Sequence, residues 1–296
     1  VAREIANRAW FNPNQKEFAM HSPRSNQITV IYSLLLTFML SACGNPSTSP
    51  RTYDGANGGT SDGPNVSGIV KGHKVKDKDQ LGRAIVAIVS EQSQGQALCT
   101  GSIIAEDLIL TAAHCVEGNP TKLSIVFSGN VRAAKPSDIR LADRFAQNPR
   151  WLKQTEKGRG DLALIHFEGG LASGYSEIKL AAKSAGLKPG TPVLVIGYGV
   201  TNGTTKVGSG ILRETATTVI SQSTPTEIMT DGKKSSVCFG DSGGPAFVEI
   251  NSEFVQWGVA SSVTNQTCSE ASIHTDLASY LSWIKSEGSK LRKKGA

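Results

Sequence analysis

The sequence predicts a mainly β protein, and three observations carry that expectation. Short runs of Val, Ile, Leu and Thr recur between clusters of Gly, Asn and Pro, as strands do between turns. Helix-like periodicity is scarce until the final segment. The 296 residues leave room for one large domain or two mid-sized ones with ample core. The strand-like runs fall into two series and the chain closes on a helix, which suggests two packed β-barrels, although the pattern alone leaves a sandwich open.

The first series comprises expected strands at 84–89, 98–104, 108–111, 123–127 and 162–167. A polar connection spans about 173–189. The second series follows at 192–198, 214–220, 227–230, 245–250, 254–262 and 272–275. From Asp276 to about Lys290, apolar Leu277, Tyr280, Leu281 and Ile284 recur at i, i+3, i+4 and i+7, which makes one face of a closing amphipathic helix.

Ahead of the strands, residues 1–42 read as an N-terminal extension and signal peptide. Met20, a fitting translation start, opens a segment with Arg24, and the apolar run from Ile28 to Leu40 is short for a membrane span but right for a signal-peptide core. Leu40-Ser41-Ala42-Cys43-Gly44 resembles a bacterial lipoprotein signal. That resemblance implies lipidation of Cys43 and, with no Asp following it, an outer-membrane location; ordinary cleavage nearby would leave a periplasmic protein. Residues 43–68, rich in Gly, Ser, Thr, Pro and Asn, lack the apolar surface to offset ordering entropy and read as a flexible linker or propeptide.

Net charge is +6, but the basic residues are scattered except at Lys290, Arg292, Lys293 and Lys294. A solvated helix end accounts for that cluster, and no nucleic-acid partner is expected. Five cysteines, Cys43, Cys99, Cys115, Cys238 and Cys268, form no C-x-x-C pair of metal-site type, so zinc is not expected; no cofactor is expected either. The odd count points to two disulfides and one separate cysteine in an oxidising compartment.

Three stretches carry chemistry. In Cys238-Phe239-Gly240-Asp241-Ser242-Gly243-Gly244-Pro245, glycines around Ser242 let the backbone take positive φ and turn its N–H groups towards one point. A serine is a weak nucleophile and needs a base beside it and donors for the charge it creates. Thr111-Ala112-Ala113-His114-Cys115 offers a base at a strand end, with small neighbours around the ring. A Cys99–Cys115 bridge would pin that turn. Gly160-Asp161-Leu162-Ala163-Leu164 places a carboxylate before an apolar strand, where it is costly unless paired with a group such as His114.

Together, in this order, these motifs resemble the chymotrypsin-type (trypsin-like) serine proteases from about Ile69 to the terminal helix. The resemblance implies two six-stranded antiparallel β-barrels with the active site between them and a C-terminal α-helix. Barrel 1 would span about 69–175, barrel 2 about 190–275 and the helix about 276–290 of a protease domain at 69–296. It implies a monomeric serine endopeptidase acting on peptides or proteins. Ser242 is then nucleophile, His114 base, Asp161 its partner, and the N–H groups of Gly240 and Ser242 the oxyanion hole. Cys238 and Cys268 match a family disulfide, and Ser261 a serine beside the aspartate.

The same resemblance makes Ile69-Val70 a new N-terminus released by an activating protease of unknown identity, with its ammonium paired to Asp241. Lys71 stands where the family usually has glycine. Such cleavage would also free the domain from a lipid membrane anchor at Cys43. At the base of the primary pocket stands Ser236, which lacks the charge that Lys or Arg would need; Val263 and Ser272 narrow its walls. Small or neutral apolar side chains are therefore expected there. A competing reading is a protease-like fold serving as a binding or adhesion lipoprotein.

Overall fold

The computed structural model describes residues 68–76, 79–93, 95–153, 160–182 and 185–293. The expected signal segment, Cys43 and most of the linker lie outside these residues. Thirteen strands run from β1 to β13 in chain order: His73–Lys74, Ile85–Gln92, Gly95–Ala105, Leu108–Thr111, Lys122–Val126, Ile139–Gln147, Ala163–Phe167, Pro192–Gly197, Arg213–Thr224, Glu227–Asp231, Pro245–Ile250, Glu253–Val263 and Ala271–Asp276. Strands β2 to β7 close into a barrel in the order β2-β3-β4-β7-β6-β5. Strands β8 to β13 close a second one, because β8 pairs antiparallel with both β11 and β9. β1 extends that sheet by pairing with β9.

Eleven of these strands fall where the sequence places them, and β6 is the instructive omission. Its residues Ile139-Arg140-Leu141-Ala142-Asp143-Arg144-Phe145-Ala146-Gln147 interleave charges with apolar side chains, and most are only half-buried. The strand exists because β5 and β7 each offer it a backbone edge. Closure of the first barrel depends on it.

β2 shows how one strand serves two cores. Ile85-Val86-Ala87-Ile88-Val89 is apolar at every position and fully buried. Successive side chains point to opposite faces. Val86 and Ile88 enter the interior of the first barrel, whereas Ile85, Ala87 and Val89 join Ile196, Tyr198, Leu212 and Phe247 of the second half. The strand is thus part of the wall between the barrels, and each of its Val and Ile side chains contributes about 1.5 to 3 kcal/mol by burial.

The C-terminal helix, Leu281–Lys293, follows a 3-10 turn at Leu277–Ser279 whose entry Asp276 caps by accepting the Ala278 N–H at 3.1 Å. Leu277, Tyr280, Ile284 and Leu291 are buried against the first barrel. Gly288 permits the close approach: a Cβ there would sit 2.8 Å from Leu108 Cδ2. The basic helix end is solvated and partly paired, Arg292 with Asp107 at 2.7 Å and Lys290 with Glu287 at 2.9 Å.

Both expected disulfides form, Cys99–Cys115 and Cys238–Cys268. Inside the second barrel His274 is fully buried, with Nε2 3.0 Å from Thr230 Oγ1 and its ring against Trp257. Burial drops its pKa to about 4 from an ordinary 6.5, so it is neutral at physiological pH. The unfolded chain therefore takes up a proton between those values that the folded chain refuses, and stability falls as pH is lowered through that window. Urea denaturation at pH 7 and pH 4 should show His274→Gln removing a pH-dependent loss on the order of 3 kcal/mol.

Candidate active site

His114 sits in the 3-10 turn Ala113–Val116 that ends β4, a turn fixed from three sides. The Cys99–Cys115 bridge ties it to β3, Gln147 Nε2 donates to the Ala113 carbonyl at 2.9 Å, and the Trp151 ring lies 6.2 Å from the imidazole. Asp161 lies two residues before the start of β7 and is 1% exposed. Its Oδ1 accepts the His114 backbone N–H at 3.1 Å, and Oδ2 lies 2.8 Å from His114 Nδ1. Ser261, from β12 of the second barrel, donates to Oδ2 at 2.6 Å. Burial alone would raise this carboxyl, but attraction to His114 and the hydrogen bonds from His114 and Ser261 outweigh it and hold the pKa below the usual carboxylate value.

Ser242 lies on the 238–244 loop that leads into β11. Gly240 has φ 97° and Gly243 φ 81°, a region costly for other residues. Gly243 also has no room for a side chain, since a Cβ would meet Thr111 Oγ1 at 2.0 Å and the Thr100 carbonyl at 2.4 Å. Along the loop the N–H groups of Asp241, Gly243 and Gly244 bond to the carbonyls of Cys238, Ala260 and Asp241. Those of Gly240 and Ser242, between them, have no partner among the described residues. The backbone leaves open the two donors that an anion would need.

Thr100, which sequence reasoning passed over, holds this loop to the first barrel. Its N–H donates to the Ser242 carbonyl at 2.8 Å and its Oγ1 to the Gly240 carbonyl at 2.8 Å, while Oγ1 accepts the Tyr198 N–H at 3.1 Å. Nothing local marks it beyond its place after Cys99. Lys206 was missed as well: its Nζ lies 2.9 Å from the Phe239 ring centroid and donates to the Gln266 carbonyl at 3.1 Å, bridging two loops beside the serine loop.

The remaining expected residues cluster nearby. Val263 and Ser272 are directly paired across β12 and β13. Ser236 is 2% exposed and donates to the Cys268 carbonyl. Ile69 is fully buried, and Val70 forms an antiparallel bridge with Ser236. Asp241 is fully buried, accepting the N–H groups of Gly199 at 2.7 Å and Cys238 at 2.8 Å. Burial pushes its pKa up to about 7 against those bonds and the attraction of Arg213. Cys99, His114 and Cys115 draw their donor atoms together, but both sulfurs are committed to the disulfide and offer no thiolate to a metal.

Two closed antiparallel barrels, with a glycine-framed serine loop docked from the second onto the first, define the protein as a serine endopeptidase. Residues 69–284 match the trypsin family, and the chain belongs to it. It is 27% identical over 214 residues to chymotrypsin of Phaedon cochleariae, covering 68% of this chain and 75% of that one. Similarity to neutrophil elastase of Mus musculus is 26% over 171 residues, 53% of this chain and 62% of that one. Chymotrypsin-like elastase family member 1 of Bos taurus is 22% identical over 244 residues, 76% of this chain and 91% of that one. The two disulfides and the family together mark an exported protein. Among the described residues no helix is long and apolar enough to cross a membrane.

The Thr100 tether has a measurable consequence. Thr100→Val keeps the shape but removes a donor from a loop carbonyl, a loss worth about 1 to 3 kcal/mol when buried. Steady-state kinetics should show kcat reduced about tenfold or more with KM little changed.

Proposed function

We propose that the chain hydrolyses peptide bonds through Ser242, His114 and Asp161, and the observation that carries this is the 2.8 Å contact between His114 Nδ1 and the buried Asp161 carboxylate. A neutral imidazole that donates from Nδ1 carries its lone pair on Nε2, the form a general base requires. Ser242 Oγ attacks the scissile carbonyl carbon as Nε2 takes its proton. The carbonyl oxygen becomes an oxyanion, held by the N–H groups of Gly240 and Ser242. The intermediate collapses, the C–N bond breaks, and the imidazolium returns its proton to the leaving amine. Water then attacks the acyl-enzyme by the same route and restores Ser242. Asp161 remains ionised throughout, which keeps the tautomer fixed and stabilises the imidazolium.

The pocket residues support a preference for small or neutral apolar side chains at the residue before the scissile bond. No carboxylate stands at Ser236, and burying a Lys or Arg cation without one is prohibitive. The paired Val263 and Ser272 favour Ala or Val over Phe or Tyr.

Activation by cleavage between Gly68 and Ile69 is part of the same reading. Ile69 has φ 42°, an outlying conformation for a β-branched residue, and release of the preceding peptide bond would relieve it. The new ammonium would pair with Asp241, and cleavage would part the domain from a lipid on Cys43.

Three measurements follow. A fluorophosphonate probe should label the wild type and not Ser242→Ala. Peptides with Ala or Val before the scissile bond should exceed an Arg peptide in kcat/KM by about 100-fold or more. Activity of the cleaved form should decline at alkaline pH: an α-amine ordinarily titrates at about 7.7 to 8.0, and pairing raises that value, so the contribution is complete below it and lost above.

A further inference from the structure

Arg213 opens β9 with only 3% of its surface exposed, and a buried guanidinium requires an opposing charge or a full set of acceptors. It has neither in full. Nη1 donates to the carbonyls of Gly208 at 3.0 Å and Ile211 at 3.1 Å. The buried Nε–H meets no acceptor. Neutral carbonyls spread the charge without cancelling it.

The missing charge lies one strand away. In the β8–β9 ladder Arg213 is directly opposite Gly197, and side chains of directly opposed residues share a face of the sheet. On Gly197 that face is taken: a Cβ there would lie 2.2 Å from Asp241 Oδ1. The Asp241 carboxyl therefore rests on the Cα of Arg213's cross-strand neighbour, and opposed Cα atoms are about 4.5 to 5.5 Å apart. Asp241 is fully buried, and its described hydrogen bonds come from the two neutral N–H groups of Gly199 and Cys238. The groups feel each other: burial raises the Asp241 carboxyl while Arg213 draws it down, and burial lowers Arg213 while Asp241 raises it.

Resting on the reading that Ser242 is the nucleophile and that cleavage before Ile69 supplies an ammonium, we propose that Arg213 is a resident counter-charge for Asp241 that positions the oxyanion loop before cleavage. The anchor of that loop then has two successive cations. Arg213 serves in the intact chain, and the Ile69 ammonium takes over in the cleaved one. The intact chain has little else to rearrange, because Ile69 is already buried and Val70 already bridges Ser236. It is therefore a partly active enzyme, and Arg213 acts through loop position without touching substrate.

The test compares the intact chain with protein cleaved to begin at Ile69, each as wild type, Arg213→Gln and Arg213→Lys, using an Ala peptide substrate and fluorophosphonate titration to count competent sites. Intact wild type should hydrolyse the peptide measurably. Arg213→Gln should lower kcat of the intact form at least tenfold more than that of the cleaved form, with KM little changed, and Arg213→Lys should recover most of the loss. Equal losses in both forms would reduce Arg213 to a structural residue and overturn the proposal, as would an intact wild type with no hydrolysis while the cleaved form is active. If Arg213→Gln does not fold, Arg213→Lys decides: it keeps the charge without the Nη1 bonds, so its intact-to-cleaved activity ratio should stay within about threefold of wild type, and a larger fall counts against the charge. Failure of the probe to label even the cleaved wild type would remove the nucleophile reading itself, an outcome distinct from any Arg213 result, and the proposal with it.

Discussion

A carboxylate sealed from water organises this molecule. Asp161 tolerates burial because donors reach it from both halves: the His114 backbone and ring from the first barrel, and Ser261 from β12 of the second. Thr275 Oγ1, from β13, also approaches its main-chain carbonyl at 3.5 Å. Separate the barrels and a buried charge loses a partner, a change that costs several kcal/mol. The apolar wall of Ile85, Ala87, Val89, Ile196, Tyr198 and Phe247 packs the two halves together, and the Ser261 bond to Asp161 joins them beside it. The full set of donors to Asp161 therefore exists only with both barrels in place.

Two buried aspartates show that burial by itself does not set a charge state. Asp161 and Asp241 are almost equally hidden. Asp161 has an imidazole in direct contact and stays low, whereas Asp241 has two amide donors and a more distant guanidinium and rises to about 7. Attraction and hydrogen bonds from His114 outweigh burial at Asp161, whereas burial outweighs the amide donors at Asp241. That contrast follows from donor identity at nearly constant burial.

The sequence made the strand-rich class and most strand positions legible, because apolar runs bounded by turn residues report burial directly. It could not choose barrel over sandwich, since closure rests on β8 pairing with both β9 and β11, and no single strand's pattern encodes that. β6 was hidden by Arg140, Asp143 and Arg144, whose presence reflects a half-exposed strand. The motifs around His114, Asp161 and Ser242 were legible because each is compact. Thr100 and Lys206 were not, because their partners are distant in sequence; Thr100 meets Gly240 across 140 residues and Lys206 meets Gln266 across 60. Nothing in the neighbourhood of such residues announces a contact that only the finished topology creates.

The placement of the closing helix has a bearing on how the chain is made. Leu277, Tyr280, Ile284 and Leu291 cover the first barrel, with Gly288 seated on Leu108, yet they are synthesised after the whole of the second barrel. During translation the first barrel therefore emerges with an apolar flank bare, and a nascent chain stalled anywhere in the second barrel still carries that flank. Contacts of such large sequence separation form slowly and leave intermediates prone to aggregate. The helix is thus a late seal on the first barrel, supplied by the last residues of the chain.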